Sequence, residues 1–124
     1  MTGDVQADVL ADVREGAHGD HGWLAAAAVL DCPAGRRWFA DDALERWASL
    51  DPKTGLWRAD WSKAARVAGS LPVSSGERAV MRTAAALARS KPVDPWWLRS
   101  LDLATSSAVV AGVAILTGIA TANN

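Results

Sequence analysis

The segment from Leu103 to Asn124 contains no charged residue, and it constrains the fold more than any other feature of the chain. On a helical wheel, one face of this segment is bulky and the opposite face is small. The bulky face carries Val109, Gly112, Val113, Ile115, Leu116 and Ile119, and the small face carries Ser107, Ala114, Thr117, Gly118 and Thr121. Small residues allow a second helix backbone to approach closely. Such a helix suits the centre of a bundle, a dimer interface or a membrane span.

A run of about 20 uncharged residues is long enough to cross a bilayer. Several alanines, serines and threonines weaken its insertion relative to a span rich in leucine and isoleucine. Trp96, Trp97 and Arg99 precede the run as an interfacial anchor would, whereas its far end offers only asparagines. We therefore predict that residues 103–122 form the central apolar helix of a bundle. A tail-anchored membrane protein is kept as an alternative.

Composition favours a helical domain. The chain has 124 residues, which suits one domain, and 50% of them are hydrophobic, with alanine dominating. We predict an all-α fold: residues 1–124 form one compact domain, a bundle of five to seven short helices around the apolar C-terminal helix. The single cysteine, Cys32, excludes an intrachain disulfide and fits a reducing, cytoplasmic setting. The acidic first 20 residues do not resemble a signal peptide.

Charge is unevenly distributed along the chain. Residues 1–33 carry six acidic side chains against Arg14 alone, whereas residues 34–100 carry twelve basic side chains against seven acidic ones. We predict that residues 1–22 form an acidic N-terminal helix and a glycine-rich loop at the periphery of the domain. This acidic arm either folds back on the basic body, recruits a basic partner or is solvated.

Hydrophobic spacing and capping residues place the other helices. Ser74 and Glu77 form a capping box at the start of one of them. The turn Asp51-Pro52-Lys53-Thr54-Gly55 separates the third helix from the fourth. The predicted helices before the last span residues 4–15, 23–31, 41 or 42 to 50, 61–68, 75–89 and a short stretch after Asp94-Pro95.

Two groups of side chains are candidates for binding a partner. Arg78, Arg82 and Arg89 form a basic stripe on one predicted helix. Trp96 and Trp97 are neighbours on another, so they point about 100° apart. We expect one of them to be buried and the other to be at least partly exposed beside Arg99; in the alternative, both rings pack under the N-terminal segment. Tryptophan and arginine dominate binding hot spots. We predict that these six residues contact a partner.

Catalytic and metal motifs are weak in this sequence. His18, Asp20 and His21 are metal-capable, but they lie on a glycine-rich loop without a fourth ligand. No histidine or acid has a motif spacing to Cys32 or to a serine that marks a nucleophile. We therefore predict neither a cofactor nor an enzymatic activity.

From Trp57 to Gly118 the chain contains, in order, Ser-Gly-Glu-Arg, an alanine-rich helix, Pro-Val-Asp, Leu-Arg-Ser-Leu-Asp and an apolar last helix. This order resembles that of small uncharacterised helical proteins of high-GC bacterial and phage genomes. That resemblance implies no activity or ligand. We predict a protein–protein interaction module, a small regulatory or inhibitory adaptor such as a phage-encoded inhibitor of a host machine. It would bind a protein, and self-associate through the C-terminal helix, rather than bind a membrane. The other alternative is a nucleic-acid-associated protein that uses its basic helix face.

Overall fold

The computed structural model describes residues 2–17, 19–99 and 101–118, without the side chains of residues 2–8 and 41. In these ranges the chain is mostly helical and carries one short hairpin. The helices are α1 (Thr2–Gly16), α2 (His21–Leu30), α3 (Pro33–Arg36), α4 (Asp41–Leu44), α5 (Trp61–Ala68), α6 (Ser75–Ala88) and α7 (Leu103–Leu116). The hairpin strands are β1 (Ala48–Leu50) and β2 (Trp57–Ala59), and 3-10 turns span Arg37–Phe39 and Pro95–Leu98.

Helix α2 is the centre of the fold. It begins after Asp20, whose carboxylate accepts a hydrogen bond from the backbone N–H of Trp23 at 3.1 Å. Its sequence after His21 carries no charge, and α1, α3, α6 and α7 all pack against it. A Cβ added at Gly22 would lie 2.7 Å from the carbonyl oxygen of Leu87, so α2 and α6 approach at backbone distance. An uncharged, alanine-rich helix allows this close approach on several sides.

The predicted capping box starts α6 and is confirmed. Ser74 Oγ accepts a hydrogen bond from the Glu77 N–H at 3.1 Å, and Glu77 Oε1 accepts one from the Ser74 N–H at 2.9 Å. Along α6, Val80, Met81 and Ala84 are fully buried, so this helix forms the second layer of the core.

Replacing Ser74 with alanine is expected to lower the free energy of unfolding by about 1 kcal/mol, because the first turn of α6 loses an acceptor for one of its free N–H groups. Urea denaturation measures the change. The control is Ser62→Ala, an exposed serine that does not cap α5, for which we expect a change below about 0.5 kcal/mol. Equal midpoints for wild type and Ser74→Ala would show that the cap contributes nothing.

The prediction of an all-α fold is incomplete, because it omits the hairpin. The third predicted helix, expected to reach Leu50, ends at Leu44. Residues 48–50 form β1, which pairs antiparallel with β2 and places Ser49 opposite Arg58. The turn at residues 51–55 is confirmed: Gly55 has a positive φ of 72°, and its N–H donates to the carbonyl of Asp51. Because this turn reverses the direction of the chain, residues 48–50 lie beside residues 57–59 and pair with them as a strand rather than extending a helix.

A cluster of aromatic rings fills the core beneath the hairpin. Trp38 and Trp47 are fully buried. Trp47 stacks at a tilt on Trp61, with ring centroids 5.6 Å apart, and meets Phe39 edge-on at 5.7 Å. The indole N–H of Trp47 donates to the Trp38 carbonyl at 2.8 Å, and that of Trp38 donates to the Glu77 carbonyl at 2.7 Å. These bonds join the aromatic cluster to the start of α6.

The prediction that the C-terminal helix is central is wrong. Helix α7 lies on the outside of α2 and buries Thr105, Ala108, Val109 and Gly112 against it. A Cβ at Gly112 would lie 2.6 Å from Val29 Cγ2, so only glycine allows this approach. The opposite face of α7 is not covered: Leu103 is 83% and Val110 67% exposed. Residues 119–122 of the predicted helix lie outside the described residues.

Helix α7 spans 14 residues. In the described ranges, no helix combines the length and the apolar character that crossing a bilayer requires.

Asp102 caps α7 by accepting a hydrogen bond from the Thr105 N–H at 2.7 Å. This bond, together with one from the Thr105 side chain, lowers the pKa of the Asp102 carboxyl.

The acidic N-terminal helix packs on the body of the same chain. Val9 and Val13 of α1 are buried in the core. Asp12 accepts a hydrogen bond from the backbone N–H of Trp57 at 3.1 Å, and Arg14 pairs with Asp31 at 2.9 Å. Of the alternatives left open by the sequence, folding back is therefore what the described part of this arm does.

Candidate binding site

Five of the six predicted contact residues line one cavity of about 240 Å³. We call it the arginine–tryptophan pocket. Its lining also includes the first turn of α6 and the segment that leads into α7. The pocket is lined by Ser75, Gly76, Arg78, Ala79, Arg82, Trp96, Trp97, Arg99 and Leu101.

Two local elements bring these side chains together. Arg78 and Arg82 lie four residues apart on α6, so they share one helix face. The tryptophans lie on the 3-10 turn Pro95–Leu98, which packs against α6. Asp94 fixes this turn by accepting a hydrogen bond from the Trp96 N–H at 3.0 Å. The pocket is thus built from the start of α6 and a short capped turn some 20 residues later in the chain.

Arg78 is held in place by backbone carbonyl groups. Its Nε donates to the Ala68 carbonyl and its Nη2 to the Leu71 carbonyl, both at 2.9 Å. These bonds tie α6 to the end of α5 and satisfy two of the five guanidinium donors. Arg78 therefore contributes positive charge to the pocket while acting as part of its wall.

Arg99 stacks on Trp96. Its guanidinium carbon lies 3.5 Å from the centre of the Trp96 ring, a cation–π contact that leaves the donor edges of the guanidinium free to bind in its plane. Trp96 is 65% exposed, whereas Trp97 is half-buried. The expected difference in exposure between the two tryptophans is present, although neither ring is fully buried.

The pocket is electropositive. Three arginines line it, and none of the residues that line it is acidic. Among the described residues, neither Arg82 nor Arg99 forms an ion pair with a carboxylate. The acidic residues nearest to the lining in the chain are Glu77, Asp94 and Asp102, and each accepts a backbone hydrogen bond as a cap. The positive charge of the pocket is thus available to a ligand.

Arg89 does not belong to this pocket, so the predicted stripe is not one surface. It lines a second, more open cavity of about 440 Å³ beside the hairpin, together with Trp23, Arg58, Asp60 and Trp61. Arg58 pairs there with Asp51 at 2.9 Å. Neither Trp23 nor Arg58 was predicted to be a site residue, because no local motif links them. The hairpin pairing that positions Arg58 becomes visible only in the fold.

The metal candidates fall partly outside the described residues. His18 is one of the residues that the structure does not describe. Asp20 caps α2, and His21 is exposed at the first position of that helix. In residues 2–17, 19–99 and 101–118, no three histidine, cysteine or acidic side chains are grouped as metal ligands would be. Cys32 is buried, and its thiol lies 3.4 Å from the Val29 carbonyl.

Comparisons of the chain with protein-family models, with curated proteins and with solved structures found no match.

Proposed function

We propose that this protein is a non-enzymatic protein-binding module and that the arginine–tryptophan pocket takes an acidic segment of its partner. One observation carries the proposal: three guanidinium groups and two indole rings surround a cavity whose lining includes no carboxylate. Tryptophan and arginine are the residues most enriched at binding hot spots.

The chemistry of the pocket favours a carboxylate-bearing peptide. A guanidinium group matches the geometry of a carboxylate and can donate two parallel hydrogen bonds to it. Arg82 and Arg99 supply such donors, while Trp97 and Leu101 offer apolar surface to a neighbouring side chain. A cavity of about 240 Å³ is smaller than most small-molecule sites, so it fits one or two peptide side chains better than a cofactor.

We further propose that the module acts as a small regulatory or inhibitory adaptor in the cytoplasm, of which a phage-encoded inhibitor of a host machine is one form. The absence of a catalytic motif in its sequence supports this proposal, as does the buried thiol of Cys32, the single cysteine of the sequence. A few hot-spot residues carry most of the binding energy of a protein–protein interface.

A nucleic-acid-binding function is the second candidate. Exposed Trp96, stacked on Arg99, is suited to stack on a base of a single strand. Nucleic-acid binding requires several phosphate contacts in a continuous track. Here Arg89 lies at the opposite end of α6 in a separate cavity, Arg78 is held by backbone carbonyls, and the chain has a net charge of −1. The acidic peptide is therefore the better supported ligand.

The test uses a fluorescein-labelled peptide of alternating glutamate and leucine residues, with binding measured by fluorescence anisotropy. Arg82→Glu is expected to weaken binding at least about tenfold, because it replaces a donor with a repelling carboxylate. Arg66→Glu is the matched control: this exposed arginine of α5 does not line the pocket, and the variant changes the net charge by the same amount. We expect its affinity to stay within about twofold of wild type.

An equal loss in the two variants would mean that only overall charge matters and would contradict the proposal. The same measurement with labelled single-stranded DNA at low and high salt tests the second candidate. Tighter binding of DNA than of the peptide, with a steep loss in salt, would favour nucleic acid.

A further inference from the structure

The outward face of α7 has no cover among the described elements. Leu103, Val110, Val113 and Leu116 are 83%, 67%, 44% and 39% exposed, respectively. The elements that pack most extensively against α7 are α2, α3 and α6, and α7 buries against them the face that contains Ala108 and Gly112.

This face also lacks the charge that a solvated helix carries. No residue from Leu103 to Gly118 is charged. A helix at the surface of a globular protein is normally polar on its outer side, and one that is apolar all round is normally buried all round. The hydroxyl of Thr117, at the end of the face, donates to the Val113 carbonyl at 3.0 Å, so it needs no acceptor from outside. The face therefore has the character of an interface.

The sequence of the face is periodic. Leu103, Ser107, Val110, Ala114 and Thr117 follow at intervals of four, three, four and three residues. This average spacing of 3.5 residues is that of a coiled-coil seam. Along the seam the larger Leu103 and Val110 alternate with the smaller Ser107 and Ala114.

We propose that α7 pairs with α7 of a second copy of this chain, antiparallel, about a two-fold axis near Val110. In a two-fold pair the same residues meet from both sides, so a charged face would repel itself, whereas this uncharged face does not. The antiparallel arrangement places Leu103 of one copy beside the smaller Thr117 of the other. It also separates the two Asp102 carboxylates and aligns the two helix dipoles favourably.

A membrane surface is a poorer occupant of this face. Helices that lie on membranes usually flank their apolar face with lysine or arginine, which attract anionic lipid headgroups. The stretch from Asp102 to Gly118 carries no basic residue, and its only charge is the acidic Asp102. A second copy requires no such charges.

The area that the two copies of α7 can bury limits the affinity of the dimer. A helix of 14 residues is about 21 Å long, and one such pair covers less than the roughly 800 Å² per partner of a standard interface. We therefore expect a dimer that dissociates on dilution into the micromolar range.

Sedimentation velocity over a concentration series tests the proposal. Wild type is expected to change from monomer to dimer as concentration rises. Val110→Glu is expected to stay monomeric, because it places two carboxylates against each other. The matched control is Leu50→Glu, which makes a similar change at a 53% exposed leucine on β1 and is expected to dimerise as wild type does.

Cross-linking with a bismaleimide about 10 Å long tests the orientation. In the antiparallel pair, Val110→Cys is expected to link to its copy, whereas the two Leu103→Cys positions lie about 20 Å apart and are not linked. Cys32 is only 4% exposed and does not compete. Linking at both positions would overturn the antiparallel arrangement. The proposal as a whole is overturned if the wild-type protein stays monomeric at every concentration, whether or not it also floats with phosphatidylcholine vesicles in a flotation assay. It is likewise overturned if the Val110→Glu variant dimerises as the wild type does.

Discussion

Replacing Trp47 with alanine is expected to lower the free energy of unfolding by about 3–5 kcal/mol. The ring is fully buried between Phe39 and Trp61, so its removal leaves a large cavity between them. The substitution also removes the indole N–H that donates a hydrogen bond to the Trp38 carbonyl at 2.8 Å, so this buried carbonyl loses its indole donor. Domains of this size have only about 5–15 kcal/mol of stability, so a large part of the total would be lost. Urea denaturation followed by circular dichroism measures the change.

The control for Trp47→Ala is the same substitution at Trp96, which is 65% exposed. We expect Trp96→Ala to change the free energy of unfolding by less than about 0.5 kcal/mol. Similar losses in the two variants would mean that the aromatic cluster does not hold the core together.

Replacing Gly35 with alanine is expected to destabilise the protein by about 3 kcal/mol or more, the upper range for overpacking. A Cβ at this position would overlap the carbonyl oxygen of Leu30 and lie 2.6 Å from its carbonyl carbon. These are backbone atoms at the end of α2, so no side-chain rotation relieves the clash. The thermal midpoint and the urea midpoint should therefore both fall.

The control for Gly35→Ala is Gly76→Ala in the first turn of α6. A Cβ at Gly76 would have no atom within 4 Å. Alanine also loses less conformational freedom than glycine on entering a helix, so we expect a gain of up to about 1 kcal/mol. If both glycines tolerated alanine equally, the close approach of α3 to the end of α2 would be wrong.

Local signals in the sequence were sufficient for most of the helices. The caps at Asp60, Ser74 and Asp102 act through hydrogen bonds to the backbone one turn later, so their residue types and spacing reveal them. The hairpin was missed for a local reason as well. Leu44 and Trp47 are spaced as on a helix and are both buried, but strands of three residues are too short to show an alternating pattern.

The helical wheel of the last helix indicated which face packs inward but not what covers the other face. Val109 and Gly112 belong to the predicted bulky face and are buried against α2, where hydrophobicity would put them. The prediction failed for the opposite face, which was expected to be covered by other helices and is exposed. The close approach at Gly112 depends on the shape of α2, and local sequence signals do not show where the remaining helices pack.

The candidate site was predicted as separate residues and not as a pocket. Arg78, Arg82 and Arg89 do share a helical periodicity, but Arg89 lies about 16 Å from Arg78 along the axis of α6. Because of this separation, Arg89 lines the second cavity, beside the hairpin, and not the arginine–tryptophan pocket. The packing of the Pro95–Leu98 turn against α6, a tertiary contact, brings the tryptophans to the other two arginines.

The indole N–H signals of the seven tryptophans show whether the arginine–tryptophan pocket is the binding surface. In a titration of ¹⁵N-labelled protein with the glutamate–leucine peptide, followed by two-dimensional NMR, we predict that the signals of Trp96 and Trp97 shift with peptide concentration. Those of Trp23, Trp47 and Trp61 should stay in place. Shifts confined to Trp23 and Trp61, which line the second cavity, would show that the peptide binds there and not in the arginine–tryptophan pocket.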